Sequence, residues 1–385
     1  MDVEQQWFLE QQQPQQQQQL SGCFERFMDD FILSFEELYE AYVECRRRKR
    51  GTTEAIEFEI NENYNLVTLY EELKNKTYEV SASYVFVVMK PKPREVFAAR
   101  YRDRIVHHLL CRRLENKIEN SLIKTTYSCR KGKGTLKCLK DSLQCLTEYT
   151  DGFKMDAYVF KGDIESFFVN IDKQILYNLI KPYATDEFTQ WLLEKILFND
   201  PTENCIIRSS NTKMNIIPRE KSLFGKKGKG LPIGNLPSQM FANLYMNEFG
   251  KYVISNGLPI FIYVDDFAIY SYDKEYMKQI IKKCETFLSD NLGLVLHKRK
   301  RYMQHCFNGY KMVGGVVKPF RLYITNNTKK KLFEYIDSRD KAISYLGLMK
   351  HFKTYNIKTI YFLFLIFIYK SSNIFEKQHE ANSIK

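Results

Sequence analysis

The chain has 385 residues, of which 44% are hydrophobic, and its 58 Lys and Arg against 46 Asp and Glu give a formal net charge of +12. The length exceeds that of a typical single domain. With 28 Phe and 26 Tyr, the composition excludes a largely disordered chain. The positive charge favours a polyanionic partner such as nucleic acid.

The cysteines and the apolar segments argue against two further classes. The nine cysteines form no Cys-x-x-Cys pair and no Cys/His cluster with zinc spacing, which indicates reduced thiols. The acidic and then Gln-rich start is not typical of a signal peptide. The longest apolar run, 361–369, has half of the ~20 residues that a membrane-spanning helix needs. We therefore expect a cytoplasmic protein that does not associate with membranes.

The first part of the chain combines helical segments with basic clusters. Residues 1–20 are rich in Gln and predict a disordered arm, and the apolar spacing over 24–42 predicts a helix. The basic cluster 45–50 fits a solvated helix end as well as a phosphate contact. The run 84–89 predicts a strand, and the alternating prolines of 90–94 predict an extended cationic loop.

The central part alternates helices with widely separated strands. A helix is predicted over 103–114, with His107 and His108 on its surface, and a basic glycine loop over 129–135 precedes another helix. This alternation favours an α+β fold with a sheet covered on one side. The remaining predicted elements are a strand at 158–163, helices at 171–180, 186–197, 239–249 and 274–288, and an irregular segment at 199–230.

Two adjacent aspartates, Asp265 and Asp266, lie between the strand-like runs 261–264 and 267–270. A tight turn there would place both carboxylates at the tip of a hairpin. Two like charges held this close are costly unless a cation neutralises them, and hard carboxylate oxygens suit magnesium.

A second acidic strand end supplies a third carboxylate. Asp163 closes the predicted strand 158–163 and precedes a helical segment, where an aspartate alone often serves only as a helix cap. Two-metal phosphoryl transfer needs carboxylates from different strands that converge on ions ~3.5–4 Å apart. The order of Asp163, a glycine-bearing loop and Tyr-x-Asp-Asp favours that chemistry over a cap.

These motifs resemble those of the reverse transcriptase family. Tyr263-Val264-Asp265-Asp266 is similar to the active-site hairpin of that family, and 162–168 is similar to the motif with its first aspartate. The resemblance extends over roughly residues 60–350. It includes blocks at 97–104, 127–134, 297–300 and 310–315, the last similar to the primer-grip turn.

Within the family, the chain most resembles reverse transcriptases of diversity-generating retroelements. Most members have a Gln-Gly and Ser-Pro pattern over the nascent base pair, whereas residues 231–239 read Leu-Pro-Ile-Gly-Asn-Leu-Pro-Ser-Gln. The segment 344–347, followed by Lys350 and His351, also resembles the C-terminal region of this type.

The resemblance implies an α+β right-hand polymerase with fingers, a palm whose antiparallel sheet is backed by helices, and a short helical thumb. The implied boundaries are a disordered arm (1–20), N-terminal helices and fingers (21–157), a palm (158–318) with a fingers insertion at about 199–230, a thumb (319–372) and a tail (373–385).

The resemblance also implies the catalytic groups. Asp163 and Asp265 would bridge two Mg²⁺ ions, for which Mn²⁺ would substitute, with Asp266 as a supporting ligand and the backbone carbonyl of Ile164 as another. The primer 3′-hydroxyl would then attack the α-phosphate of the incoming deoxynucleotide.

The remaining implied site residues contact nucleotide, template or primer. Phe168 matches the family's steric gate against ribonucleotides, with a core phenylalanine like Phe167 as the alternative. Lys300 would donate a proton to pyrophosphate, attract it, or be solvated surface. The nucleotide set is Lys90, Arg94, Phe168, Ile233, Gly234, Ser238, Gln239 and Lys300. The template-primer set is Arg100, Arg104, Arg130, Lys131, Lys133, Tyr263, Met312, Val313 and Gly314.

These features predict a bacterial or phage-encoded RNA-directed DNA polymerase. Isoleucine at 233 can only pack where a glutamine would form a hydrogen bond, which predicts errors at template adenines and a role in mutagenic retrohoming. The predicted partners are an RNA template, a DNA or RNA primer, deoxynucleotides, a small basic accessory variability protein and the element's structured RNA. The alternatives are a retron, group-II-like or defence-associated reverse transcriptase, or a non-polymerising RNA-binding protein similar to maturases.

Overall fold

The fold is given by a computed structural model, which describes residues 33–47, 49–90, 92–334, 343 and 347–352. These residues form two compact units, each built from two separate stretches of sequence. The first unit runs up to Ser121 and resumes over Phe168–Leu244, and the second comprises Leu122–Phe167 and the residues from Tyr245 onward. The predicted arm 1–20, the tail 373–385 and the apolar run 361–369 lie outside the described residues.

Most of the predicted helices and strands are present with shifted bounds, and further elements such as the strand Cys205–Ile207 were not predicted. The helices of the described residues are α1 (Phe35–Arg46), α2 (Thr53–Ile60), α3 (Glu62–Lys74), α4 (Tyr101–Ser121), α5 (Thr135–Tyr149), α6 (Phe167–Asn170), α7 (Lys173–Ile180), α8 (Glu187–Leu197), α9 (Asn211–Met214), α10 (Leu236–Ser255), α11 (Lys274–Leu292) and α12 (Asn326–Glu334). The strands are β1 (Ser83–Val88), β2 (Arg94–Ala98), β3 (Tyr158–Asp163), β4 (Cys205–Ile207), β5 (Ile260–Tyr263), β6 (Asp266–Ser271), β7 (Tyr302–His305), β8 (Tyr310–Met312), β9 (Gly315–Lys318) and β10 (Arg321–Ile324).

The first unit contains a three-stranded sheet in the order β2-β1-β4. β1 and β2 pair antiparallel, and alternate residues of β1 are buried because successive side chains of a strand point to opposite faces. Val85 and Phe97 thereby pack with Val169 and Leu223 in a small core. Asp172 and Asp186 cap α7 and α8 by accepting backbone N–H groups of the first helical turn.

Two predictions for the first unit are corrected by the structure. The segment 199–230 is only partly irregular, because it contains β4 and α9. The part of this segment around Ser222 is held by the buried carboxylate of Glu95. That carboxylate accepts hydrogen bonds from the hydroxyl of Ser222 at 2.7 Å and from the N–H of Leu223 at 3.1 Å. His107 is not on the surface of its helix but is 4% exposed, since it lies on the side of α4 that packs into the core.

The second unit contains a four-stranded antiparallel sheet in the order β5-β6-β3-β7 and a three-stranded antiparallel sheet in the order β10-β9-β8. Helix α5 packs against β5 and β9, and α11 packs against β3 and β6. The buried apolar side chains of α5 form one core with those of the strands, and α11 buries Met277, Ile280, Cys284, Leu288 and Leu292. The predicted α+β class, with an antiparallel sheet backed by helices, is confirmed.

Two properties of the described residues bear on the expected environment. Their cysteines carry free thiols. None of their helices combines the length and the apolar composition that are needed to cross a bilayer.

Candidate active site

The paired aspartates lie where β5 and β6 meet in the second unit. Tyr263 pairs with Asp266 as the last residues of the ladder, so that Val264 and Asp265 form the connecting turn. Val264 has φ 61°, a rare conformation for a β-branched residue. Strained backbone of this kind occurs at functional sites, where the surrounding structure maintains it. The hairpin predicted from the local pattern is present, but its turn is Val264-Asp265 rather than Asp265-Asp266, so that Asp266 begins β6.

The third aspartate is brought to the same corner by strand pairing. β3 runs antiparallel to β6, with Asp163 directly opposite Asp266. The N–H of Ile164 donates to the carbonyl of Asp265 at 3.0 Å, and the N–H of His297 donates to the carbonyl of Asp163 at 2.8 Å. Three carboxylates from two distant parts of the chain therefore converge at one end of the sheet.

Two lysines contact these carboxylates. Lys161 forms an ion pair with Asp266 and also donates to the carbonyl of Gly162 at 2.9 Å. Lys300 forms an ion pair with Asp163. Lys161 is 5% exposed, whereas the side chain of Lys300 is 48% exposed. One ammonium group is therefore enclosed by the protein and the other is accessible to solvent.

Burial and neighbouring charges shift the pKa values of Asp265 and Lys161. The pKa of Asp265 is raised because its carboxyl is buried and because the charge of Asp163 repels its own. The pKa of Lys161 is lowered to about 8, mainly because the ammonium is buried, although Asp163 and Asp265 act in the opposite direction. A bound cation would favour the ionised form of Asp265.

The donor set fits a hard divalent cation only in part. Carboxylate oxygens are the ligands that such ions prefer, and the mutual repulsion of Asp163 and Asp265 is the condition that a cation relieves. No group of three or more His, Cys, Asp and Glu side chains among the described residues is arranged to hold a metal. Two of the three carboxylates are instead paired with ammonium groups, Asp266 with the buried Lys161 and Asp163 with the exposed Lys300. Because the side chain of Lys300 is 48% exposed and can turn away, Asp163 and Asp265 are the better candidates for ligands.

The segment 231–239 belongs to the first unit, where hydrogen bonds fix its position. The carbonyl of Ile233 accepts the N–H of Phe97 at 3.1 Å, and the carbonyl of Phe168 accepts the N–H of Leu231 at 2.7 Å. Gly234 has φ 114°, and a Cβ atom there would lie 2.9 Å from Cγ1 of Val96. A side chain is thus excluded from this position both by conformation and by space.

The predicted nucleotide contacts of the first unit differ in exposure. Lys90 and Arg94 are exposed on either side of the β1–β2 turn, and Phe168 and Ile233 are partly exposed. The described residues of this set are thus accessible, with one exception. Ser238 is 3% exposed and its hydroxyl donates to the carbonyl of Pro232 at 2.8 Å, so that it stabilises the loop rather than facing a nucleotide.

Several cations of the template-primer set are engaged within the protein. Arg100 pairs with Glu54 at 2.7 Å, and Arg104 donates to the carbonyl of Ala99 at 2.8 Å. Arg130 donates to two backbone carbonyls of its own loop, and Lys133 donates to the carbonyl of Lys124 at 2.7 Å. Lys131 and Gln239 are exposed.

The turn at 312–314 lies in the second unit with the aspartates. Val313 and Gly314 have φ 42° and 83°, as a tight two-residue hairpin turn requires. The N–H of Val313 approaches Oδ2 of Asp266 at 3.5 Å. Met312 is 1% exposed and its sulfur contacts that of Cys138, so its side chain belongs to the core, and a contact of Met312 with a primer stays a prediction. Tyr263 is half-buried, which raises its pKa.

The sequence-based prediction missed Lys161. The available signal was a lysine in the middle of the apolar strand Tyr158–Asp163, where a buried charge requires a partner.

The family of the chain is established by comparison with known proteins. Residues 89–349 match the family model described as reverse transcriptase (RNA-dependent DNA polymerase). Because this match covers more than half of the sequence, the chain belongs to the reverse transcriptase family. Membership confirms the predicted right-hand polymerase class of fold, and reverse transcriptase domains generally use divalent metal ions.

Two telomerases are similar to the chain in structure. Apo telomerase from Candida tropicalis, truncated from its C-terminal domain, matches with a TM-score of 0.47 and 11% identity, over 69% of this chain and 60% of that one. Telomerase from Candida albicans, in complex with a fragment of telomeric RNA, gives the same TM-score and identity over 80% of this chain and 62% of that one. The chain thus spans about three fifths of these relatives. No curated protein matches it.

Proposed function

We propose that this protein is an RNA-directed DNA polymerase that makes cDNA by nucleotidyl transfer. The observation that supports this most directly is the convergence of Asp163 with Asp265 and Asp266 at one end of the β5-β6-β3-β7 sheet. The substrates would be an RNA template, a DNA or RNA primer and deoxynucleoside triphosphates.

The cofactor we propose is Mg²⁺, with Mn²⁺ as a substitute, held mainly by Asp163 and Asp265. When bound, such ions lower the pKa of an attacking hydroxyl and stabilise the charge on the leaving group. The chain's own contribution is to hold the two carboxylates in place. The hydrogen bond from Ile164 to the carbonyl of Asp265 and the pairing of Asp163 with Asp266 fix both backbones before any ligand binds.

Cations and one aromatic ring would handle the nucleotide. Lys300 contacts Asp163 from the solvent side, from which its ammonium can move to neutralise a leaving pyrophosphate. Lys90 and Arg94 are exposed cations suited to the triphosphate. Phe168, which unlike the buried Phe167 is partly exposed, would exclude the 2′-hydroxyl of ribonucleotides.

Primer extension on a defined RNA template tests the polymerase proposal. We expect wild type to extend the primer only with Mg²⁺, and Asp265→Ala to give no product. Asp290→Ala, which removes an exposed aspartate of the same unit, is the control and should keep wild-type activity. No extension by wild type would favour the alternative of a non-polymerising RNA-binding protein.

We further propose that the protein is of the diversity-generating type and copies adenines with low fidelity. The support is Ile233, whose carbonyl is tied to β2 while its side chain is partly exposed and offers no hydrogen bond. A polar contact worth ~1–3 kcal/mol is thereby absent at this position. A small basic accessory protein and the element's structured RNA would then be partners.

The fidelity proposal is tested by Ile233→Gln. Misincorporation opposite template adenines should fall roughly tenfold, which corresponds to ~1.4 kcal/mol of restored discrimination. The control Ile216→Gln changes an isoleucine that is 44% exposed and should leave fidelity unchanged. Unchanged errors in Ile233→Gln would remove Ile233 from the explanation, whereas accurate copying of adenines by wild type would favour a retron, group-II-like or defence-associated enzyme.

A further inference from the structure

The strand that carries Asp163 also contains a buried lysine. Lys161 is 5% exposed and lies between Phe160, which is 2% exposed, and Gly162. Enclosing an ammonium group costs several kcal/mol unless another charge and hydrogen bonds compensate. For Lys161 the compensating groups belong to Asp266 and Gly162.

The contacts of Lys161 lead to Asp266 and from there to the turn at 312–314. Its ammonium pairs with Oδ1 of Asp266 and donates to the carbonyl of Gly162 at 2.9 Å. The other oxygen of Asp266, Oδ2, faces the N–H of Val313 at 3.5 Å. Both oxygens of this carboxylate are thus directed at groups of the protein.

Lys161 and Lys300 differ in their freedom to leave the carboxylates. The side chain of Lys300 is 48% exposed and can turn into solvent when a cation binds Asp163. The side chain of Lys161 is 6% exposed, and its strand lies between β6 and β7 in the sheet. Its ammonium group therefore has less freedom than that of Lys300 to leave the corner formed by Asp163, Asp265 and Asp266.

We propose that Lys161 is a positioning residue that neutralises Asp266 and holds its carboxylate between β3 and the turn at 312–314, leaving Asp163 and Asp265 to take divalent cations. The second aspartate of the hairpin then orients the neighbouring turn instead of completing the metal site. For its kinetic consequence, this inference rests on the proposed polymerase function.

Thermal unfolding without nucleic acid tests the pair independently of activity. Removing one partner of a buried ion pair is strongly destabilising, whereas replacing both by uncharged groups is much less so. We therefore expect Lys161→Met to lower Tm in EDTA, and Lys161→Met/Asp266→Asn to recover most of the loss. Lys161→Arg, which keeps the charge, should lie closer to wild type than Lys161→Met.

A Mg²⁺ titration of the same variants distinguishes positioning from packing. In Lys161→Met an unpaired third carboxylate joins the corner, so Mg²⁺ should raise Tm more than it does for wild type. The double variant should return to the wild-type response. Lys278→Met, at an exposed position of α11, should change neither Tm nor the Mg²⁺ response. A double variant less stable than both single variants, or equal Mg²⁺ responses throughout, would overturn the proposal.

Primer-extension kinetics provide the second readout. Because Asp266 is the neighbour of Val313, Lys161→Met should raise KM for the primer roughly tenfold, the effect of losing ~1.4 kcal/mol, with a smaller change in kcat. A fall in kcat at unchanged KM would contradict the assigned role. If wild type extends no primer, the proposed function fails, while the unfolding data still decide whether Lys161 and Asp266 act as a pair.

Discussion

Replacing Gly162 with alanine should disrupt the acidic corner by a purely steric effect. Gly162 lies between Lys161 and Asp163 on β3 and pairs with Phe267 on β6. A Cβ atom at this position would lie 2.3 Å from Cζ of the Phe267 ring and 2.8 Å from both Cε atoms. No positive φ is involved, so the clash is the whole perturbation.

The Phe267 ring cannot move away from an added Cβ atom without displacing the buried residues around it. Carbon atoms in contact are about 3.5–4.0 Å apart, so the ring or the strand must recede by about 1 Å or more. Phe267 is 0% exposed, and its ring centroid lies 4.9 Å from that of Phe249 and 6.0 Å from that of Phe160. Overpacking of this kind costs ~1–3 kcal/mol, which corresponds to a fall in Tm of roughly 2–12 °C.

In Gly162→Ala we expect a large loss of primer-extension activity and only a moderate loss of thermal stability. The next pair of the same ladder is Asp163 and Asp266, so a separation of β3 from β6 displaces the carboxylates. A shift of ~1 Å at a reacting centre can reduce the rate by ~100-fold. We therefore expect Gly162→Ala to fold with a lowered Tm and to lose about two orders of magnitude in primer extension.

Thermal unfolding and primer extension of three variants measure these effects. Gly51→Ala is the matched control, because nothing lies within 4 Å of its added Cβ. Phe267→Leu in the Gly162→Ala background removes the clashing ring atoms and should restore part of the activity. Wild-type Tm and activity in Gly162→Ala would refute the reasoning.

Two further predictions concern the first unit. The pKa of buried His107 is lowered to about 3 by burial, with repulsion from neighbouring cations, so its contribution to stability is complete above pH ~6.5 and is lost at ~1.4 kcal/mol per pH unit as the pH falls towards 3. His107→Leu should flatten the pH dependence of urea unfolding in that range, and an unchanged slope would contradict the assignment. Glu95→Ala should destabilise the protein by ~1–3 kcal/mol and expose the 219–224 segment to protease, because Ser222 and Leu223 lose their acceptor. Glu220→Ala, at an exposed position, is the control, and equal protection of both variants would be inconsistent with this anchor.

Local sequence patterns predicted the elements that carry the candidate site. β-branched and aromatic runs around Asp265 and Asp266 predicted the hairpin, and each end of the observed strands Ile260–Tyr263 and Asp266–Ser271 differs from the prediction by one residue. Asp163 was likewise expected at a strand end, where it is found. These features depend on the period-2 alternation and turn preferences of neighbouring residues, so a short segment contains the information.

The partners of buried polar groups were decided by the tertiary structure alone. The pairing of Lys161 with Asp266 spans 105 residues, and that of Glu95 with Ser222 spans 127. His107 was expected at the surface of its helix and is buried, because what covers a helix face is another element distant in the chain. The sequence by itself determined the strands that carry Asp163, Asp265 and Asp266 and the residues that carry charge, whereas β4 was not predicted. Only the packing of β3 against β6 decided which charges meet, since no local period encodes the register of two strands about a hundred residues apart.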